Sequence, residues 1–374
     1  MKLAFVLYRY FPFGGLQRNM LAIAREAQRR GHRVVVYCTD WVGERDQGID
    51  VVEIGRRGWS NAARMTHFAR DLFRVLAGEN FDQVVGFNKW PGLDVYYAAD
   101  SCFAYKAYRE RGFWYRLAPR SRAYLAFEEA VFGPESKTHV LEVSPAERQR
   151  FIDFYGTPAE RFHTLPPGIS RDRAAPENWR TVRTAKRAEL GIAEDQKVLL
   201  ALGSGFRTKG LDRSIAALPA LAACNVRLLV VGDDNPAAFE TQAEQLGVRD
   251  KVIFLGGRAD VPEILQATDL LFHPAYKENT GNVLLEAMIA GVPVITTEVC
   301  GYAHYVRDAG MGEVLKEPFE GKACVAAIIR ALAHDACYWH EKGAHFAETS
   351  DIYHRPQVAV DVIELMNQRL KQRI

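Results

Sequence analysis

Two doubly wound α/β domains in tandem are what this 374-residue sequence predicts, and three observations carry the prediction. Short apolar runs alternate with amphipathic stretches in two successive series. The first such unit has glycines at both ends of its helix. Leu165-Pro166-Pro167-Gly168 then interrupts the series near the middle. Alternating strand and helix patterns imply parallel pairing, because a crossover helix must return the chain to the same end of the sheet. A chain of this length also exceeds one ordinary core and suits two domains of about 150–200 residues.

In order along the chain, residues 3–7 read as a buried strand, and Gly14-Gly15-Leu16-Gln17 opens a helix running to about Arg30. Gly31 follows at the position where a left-handed cap favours glycine. Residues 34–38 form the next buried run, and 51–54, 83–87, 95–98 and 139–143 continue the series. After the Pro-Pro-Gly break comes a polar stretch to about Thr184, then a second series at 198–202, 227–231, 252–254, 270–273 and 294–296. Domains are therefore expected at 1–168 and 169–355, with a last helix at about 356–374 crossing back onto the first. Two such sheets would face each other across a cleft at their strand C-termini, the edge where ligands bind in this architecture.

Composition narrows the function classes. With 48% hydrophobic and 25% charged residues the chain has the make-up of a soluble globular protein. No apolar run approaches the ~18 residues of a membrane span. Residues 1–10 lack a small-residue cleavage site and are interrupted by Arg9, so they read as a strand and not a signal peptide. The six cysteines are scattered without metal-ligand spacing, consistent with buried thiols in a reducing cytosol. The net charge of +2 divides unevenly: residues 1–170 hold 24 Lys and Arg against 19 Asp and Glu, and the remainder 24 against 27. The bias is too small, and the motifs too few, for nucleic-acid binding.

The chemistry concentrates in the second half. Glu278 and Glu286 are separated by seven intervening residues, Gly281 among them, with Glu286 inside the apolar window Val-Leu-Leu-Glu-Ala-Met. A carboxylate in such surroundings is expected to be hydrogen-bonded. Between the two glutamates, backbone N–H groups of Gly281, Asn282 and Val283 would project from a helix N-terminus, which attracts anions. Upstream, the turn Gly203-Ser204-Gly205-Phe206-Arg207-Thr208-Lys209-Gly210 joins a strand to a helix and carries two cations. A phosphate seat flanked by acceptors for sugar hydroxyls suggests an enzyme that handles a nucleotide sugar. No Asp-x-Asp lies in a plausible donor loop, so no metal is expected; Asp233-Asp234 reads as a turn or helix cap.

These residues together resemble a retaining GT-B glycosyltransferase of family 4, and within it the lipopolysaccharide core glucosyltransferase I group. The resemblance rests on Glu278-x7-Glu286, Arg207-x-Lys209-Gly210, Gly14-Gly15 and the Pro-Pro-Gly hinge. It extends through the runs beginning at Tyr8, Gly86, Leu165 and Val299, and so covers nearly the whole chain. The basic turn departs from the group in one detail: Thr208 separates Arg207 from Lys209, where the group can have the two cations adjacent. The resemblance implies that Glu286 accepts from the ribose hydroxyls of UDP and Glu278 contacts the donor sugar. It implies that Gly281, Asn282 and Val283 lend amides to the diphosphate, which Arg207 and Lys209 neutralise. Arg258 would lie beside the uracil through its backbone; Gly203 would border the nucleotide, and Gly14 and Gly15 would approach the phosphate from the first domain. Asp100 falls where the family has a polar residue facing the transferring sugar.

Residues 103–127 combine Lys106, Arg109, Arg111, Arg116, Arg120 and Arg122 with eight aromatics, Trp114 among them, against the single acid Glu110. That is the composition of an interfacial anchor, although Pro119 prevents one continuous helix. The resulting expectation is a cytoplasmic enzyme, peripheral on the inner face of the inner membrane, that transfers glucose from UDP-glucose to a heptose of the lipopolysaccharide core. Its expected partners are the UDP-sugar donor, the core acceptor and an anionic membrane surface. UDP-galactose or UDP-N-acetylgalactosamine as donor, and a nucleotide-sugar-binding protein without turnover, are the alternatives.

Overall fold

The computed structural model describes residues 1–12 and 14–371; Phe13, inside the run beginning at Tyr8, and residues 372–374 of the expected closing helix lie outside the described residues. The chain divides into two compact units, Met1–Gly168 with Ile352–Ile374, and Ile169–Asp351.

The first unit begins with β1 (Lys2–Val6), α1 (Gly15–Arg29), β2 (Arg33–Cys38), β3 (Asp50–Glu53) and α2 (Asn61–Ala77). After β4 (Gln83–Gly86) and β5 (Val95–Ala98) the chain becomes a string of short helical pieces. These are α3 (Phe103–Tyr105), a π turn (Lys106–Glu110), α4 (Phe113–Leu117) and α5 (Pro119–Phe132). Then follow β6 (His139–Glu142), α6 (Pro145–Tyr155) and β7 (Phe162–Thr164). All pairings are parallel, in the order β3-β2-β1-β4-β5-β6-β7. The apolar-run reading does not find β7, because only Phe162 of its three residues is buried.

Strand β1 shows why the sheet is covered twice. Leu3 and Phe5 enter one core cluster, with Met20, Ile23 and Ala27 of α1, while Ala4 and Val6 enter another, with Phe68 and Leu72 of α2. Period-two alternation sends each strand to both faces, and both faces of a parallel sheet carry helices. Helix α1 ends as its glycine suggests: Gly31 has φ +81°, and the amides of Gly31 and His32 donate to the carbonyls of Gln28 and Ala27.

The second unit contains α7 (Trp179–Glu189), β8 (Lys197–Leu202), α8 (Leu211–Ala217), β9 (Val226–Val231), α9 (Ala237–Gln245) and β10 (Val252–Gly256). It continues through α10 (Val261–Ala267), β11 (Leu270–His273), α11 (Asn282–Ile289), β12 (Val294–Thr297), α12 (Ala303–Asp308) and β13 (Gly312–Leu315). Helices α13 (Gly321–Leu332) and α14 (Ala336–Thr349) complete it. The six parallel strands run in the order β10-β9-β8-β11-β12-β13. The edge strand β13, Gly-Glu-Val-Leu, is the one the sequence pattern misses, since only Leu315 is buried. In each sheet the order reverses beside the first strand, between β1 and β4 and between β8 and β11, and ligands bind outside such switch points.

The closing helix, α15 (Arg355–Lys371), belongs to the first unit, where Ala359, Val360, Ile363 and Met366 join the α1 core cluster. Its first residue, Arg355, is buried and donates to the Pro166 carbonyl (2.9 Å) and the Tyr97 hydroxyl (3.2 Å). Gly168 leaves the space for it: a Cβ there would lie 2.7 Å from Arg355 Cβ.

Candidate functional site

The loops leaving β8, β9 and β11 are tied into one surface at the C-terminal edge of the second sheet. In the turn formed by residues 203–210, the Phe206 amide donates to Asp234 Oδ2 (2.9 Å). The amide of Asp233 donates to Ser204 Oγ (3.0 Å). The Asp233-Asp234 pair thus anchors the turn. Phe206 is buried against Phe239 and Phe254, which leaves Arg207 exposed and Lys209 half-buried. Gly210, in the left-handed region at φ +77°, lets the turn press on the next loop: a Cβ there would lie 2.0 Å from the Pro274 carbonyl oxygen. The Tyr276 amide then donates to the Thr208 carbonyl (2.9 Å).

That second loop carries Glu278. It is held by an isolated parallel bridge to Cys300 and by amide donation from Tyr302 to the Thr280 carbonyl (2.8 Å). Lys209 Nζ donates to Glu278 Oε2, and His273 Nε2, almost fully buried, lies 3.4 Å from the same oxygen. Burial alone would raise the Glu278 pKa. The nearby His273 imidazole and the charge of Lys209 outweigh it and hold the carboxyl at about 2. His273 responds in the opposite sense: burial lowers its pKa, but the Cys300 and Glu278 side chains raise it by more. Both neighbours, the Lys209 ammonium and the His273 imidazole, converge on Oε2. Among the described residues Oε1 has no partner.

Helix α11 starts beside this carboxylate. Gly281 is its N-cap at φ +91°, and a Cβ there would sit 3.4 Å from Glu278 Cγ. Helix geometry leaves the amides of Gly281, Asn282 and Val283 without intrahelical acceptors, and no acidic side chain occupies the first turn. The Asn282 Oδ1 atom is buried and has no hydrogen-bond partner among the described residues. Glu286 is buried one turn into the helix, flanked by Leu284, Leu285, Ala287 and Met288, all fully buried. Gly203, Arg207, Lys209, Glu278, Gly281, Asn282, Val283 and Glu286 thus share one sheet edge. Arg258 follows β10 on the same edge, with its side chain committed elsewhere. Its guanidinium forks onto Asp260 (2.7 and 2.6 Å) and reaches Glu189 (3.3 Å), leaving its backbone for any ligand.

Gly14, Gly15 and Asp100 belong to the first unit. Gly14 caps α1, and a Cβ there would collide with Gln17 Oε1 at 1.8 Å, whereas Gly15 has open space around it. Asp100 is exposed just beyond β5. The segment after it is fixed by residues that sequence reasoning did not single out. The amides of Phe103 and Ala104 donate to Glu128 (2.8 Å each), and the Cys102 amide donates to Glu147 Oε2 (2.7 Å). Glu128, fully buried on α5, also accepts from Lys89 and from the Tyr155 hydroxyl (3.1 Å). Glu128 lies in the apolar window Phe-Glu-Glu-Ala-Val-Phe, the same signal that marks Glu286. His273 reads in the sequence only as a strand end.

The basic, aromatic stretch folds as α3, the π turn and α4, followed by the longer α5, which begins at Pro119. Trp114 is 80% exposed and Tyr108, Phe113 and Leu117 are also exposed. Lys106 is half-buried, Arg109, Arg120 and Arg122 are exposed, and Arg116 packs over Tyr108 (4.8 Å) and Phe113 (5.2 Å). Arg120 lies over Tyr124 at 5.4 Å. Among the described residues no helix is long and apolar enough to cross a membrane, and no group of three or more His, Cys, Asp or Glu could hold a metal ion.

Residues 182–350 match the family described as glycosyl transferases group 1, and residues 13–173 match glycosyltransferase family 4. The lipopolysaccharide glucosyltransferase WaaG of Escherichia coli (strain K12) is 45% identical over 368 residues, 97% of this chain and 98% of that protein. A crystal structure of WaaG, a glycosyltransferase involved in lipopolysaccharide biosynthesis, superposes with a TM-score of 0.90 and covers 96% of this chain and 99% of its own. Anabaena HepE in complex with UDP and glucose shares the fold at a TM-score of 0.76 and 19% identity, covering 97% of this chain and 99% of its own.

Proposed function

We propose, because this chain belongs to the group 1, family 4 glycosyltransferases, that it transfers glucose from UDP-glucose, with retention, onto a heptose of the lipopolysaccharide core. The observation that carries the reading is the half-occupied Glu278: one oxygen held by Lys209 and His273, the other open, at the start of a helix with free amides. An ionised carboxylate is an acceptor only, so its open oxygen suits a sugar hydroxyl. The adjacent amides of Gly281, Asn282 and Val283 suit a phosphate.

In this reading Glu286 accepts from the ribose hydroxyls, and the backbone at Arg258 meets the uracil, with Gly203 bordering the nucleotide. The chemical step builds negative charge on the departing β-phosphate. The α11 amides, Lys209 and Arg207 are fixed donors and charges that oppose it, the kind of preorganised stabilisation that lowers a barrier most. On the first unit, Gly14 and Gly15 carry backbone at the start of α1 and Asp100 an exposed carboxylate just beyond β5. The leaving phosphate takes the proton of the attacking hydroxyl on the same face, so no second acid/base carboxylate is required.

The exposed aromatics of residues 103–127, and cations there that form no ion pair among the described residues, support peripheral docking on the anionic cytoplasmic face of the inner membrane. Aromatics bury at the interface while Lys and Arg meet the headgroups. An Arg116/Arg120/Arg122→Glu variant should lose binding to anionic vesicles; equal binding by variant and wild type sinks the docking. The transfer is tested by incubating the purified chain with a panel of UDP-sugars and heptose-terminated core acceptor, with and without EDTA. Glucose should be the sugar transferred, at a rate EDTA leaves unchanged. Transfer of another sugar, or none, overturns the assignment.

A further inference from the structure

A cationic cluster with no part in the donor site lies at the C-terminal edge of the first sheet. Asp40, just past β2, receives Arg9 Nε (2.7 Å) and Arg56 Nε (3.1 Å) together, and the Thr39 hydroxyl as well (2.8 Å). Two guanidiniums share one carboxylate, so a positive charge is left over. Arg64, on the first turn of α2, donates to the neutral Gly58 carbonyl (2.9 Å) and adds another. Arg57 is exposed and forms no ion pair among the described residues. The nearby acids are already matched: Glu53 pairs with Arg45, and Asp46 with Arg25. Both Arg56 and Arg64 act electrostatically on the Tyr8 hydroxyl, opposing the rise that burial imposes on it. Two guanidiniums thus meet on one saturated carboxylate, Arg64 acts with Arg56 on the same phenol, and Arg57 is the next residue along the chain from Arg56.

The loop that brings them is built to present a tip. Ser60 caps α2 by accepting the Ala63 amide (3.1 Å), and Gly58 takes φ +121° against Ala63. Trp59 between them is fully exposed. Tyr10 and Trp41 stack face to face alongside, 3.7 Å apart. Like charges crowded at a surface without counter-charge are unfavourable unless an anion arrives to share them, and guanidinium forks bind carboxylate and phosphate in two-point geometry.

We infer that Arg56, Arg57 and Arg64, with the Tyr8 hydroxyl and Trp59, form an acceptor subsite that grips a carboxylate or phosphate carried by the saccharide. The inference rests on the reading of the acceptor as a core oligosaccharide. β1 and β5 are separated by one strand, so Tyr8 and Asp100 stand about 10 Å apart along the edge. The anionic group therefore sits on a different sugar from the one that receives glucose, and the cluster measures acidic content at a distance from the reaction.

The test uses the full chain and four acceptors: an acidic core oligosaccharide, the same oligosaccharide with its carboxyls reduced to alcohols, a sample stripped of phosphate, and a sample treated both ways. Arg56→Gln/Arg57→Gln should raise the KM for the acidic acceptor by about tenfold or more, the size of a lost charge-assisted bond. It should leave the KM for UDP-glucose unchanged, and Arg56→Lys/Arg57→Lys should recover part of the loss. Whichever treated acceptor becomes insensitive to the substitutions carried the recognised group. An equal KM rise for acidic and doubly neutralised acceptors overturns the subsite. So does an unchanged KM accompanied by lost binding to anionic vesicles, which would assign the cluster to lipid. If wild type transfers to none of them, the glucosyltransferase reading fails by itself. Calorimetric binding of the acidic oligosaccharide to wild type and the Gln variant then decides the cluster: weaker binding by the variant supports it, and equal binding overturns it.

Discussion

Each unit holds a lysine–glutamate pair, buried at Glu128 and half-buried at Lys209 and Glu278, and the two pairs do different things. In the first unit Glu128 is 0% exposed and fully subscribed: Lys89 and the Phe103 amide at one oxygen, the Ala104 amide and the Tyr155 hydroxyl at the other. In the second unit Glu278 is 13% exposed and accepts at a single oxygen, from Lys209 with His273 close by. The same two residue types are a structural knot in one place and a receptor in the other. Residue identity does not separate them; unspent acceptor capacity does. A buried carboxylate with every lone pair filled has nothing to offer a ligand, whereas one left half-filled at a strand end retains chemistry.

Substitutions can break or sharpen that contrast. The largest effect is expected from Glu128→Ala, which strands Lys89 and two amides in the interior. Removing one partner of such a pair costs about 3–5 kcal/mol, read as a fall in denaturation midpoint. An unchanged midpoint would mean the knot is ornamental. Next comes Lys209→Ala, which should lower kcat by about 10²–10³-fold, the scale of a lost transition-state donor, with the denaturation midpoint nearly unmoved. If it unfolds the protein as readily as Glu128→Ala, the two pairs are of one kind after all.

Acid titration is the subtlest probe. Glu278 is depressed from 4.5 to about 2 in the folded chain. Its contribution to stability is therefore fully present above pH 4.5 and is lost as pH falls toward 2, on the order of 3 kcal/mol in all. Glu278→Gln should flatten that stretch of the acid-unfolding curve relative to wild type; superimposable curves would show that the carboxylate is not held by its cations. At neutral pH Glu278 stays ionised, so the acid limb of any pH–rate profile should not track it down to pH 4.5.

The two pairs also mark what is legible from the chain alone. The alternation of apolar runs and glycine-bounded helices is local, and it defines the two sheets apart from the short edge strands β7 and β13, which bury too little to leave a pattern. Glu278 and Glu286 are readable because their spacing, Gly281 and the helix start are contiguous. Lys89 and Glu128 are 39 residues apart, and nothing in either neighbourhood names the other. Glu128 carries the same apolar-window signal as Glu286, yet one belongs to a scaffold and the other to a candidate site. The window reports that a carboxylate is satisfied, not by whom. His273 is invisible for a related reason: a histidine ending a strand acquires meaning only when a loop five residues on folds back beside it.

The placement of α15 has a consequence for how the protein is made. The second unit is one uninterrupted stretch of chain, Ile169–Asp351, whereas the first is left open after Gly168 and is closed only by a helix beginning 187 positions later. On the ribosome the second unit can therefore finish folding while the α1 core cluster of the first still lacks Ala359, Val360, Ile363 and Met366. A nascent chain in that state has an unclosed apolar face through roughly half of its synthesis, at ~5–20 residues per second. The half that is translated first is the half that matures last.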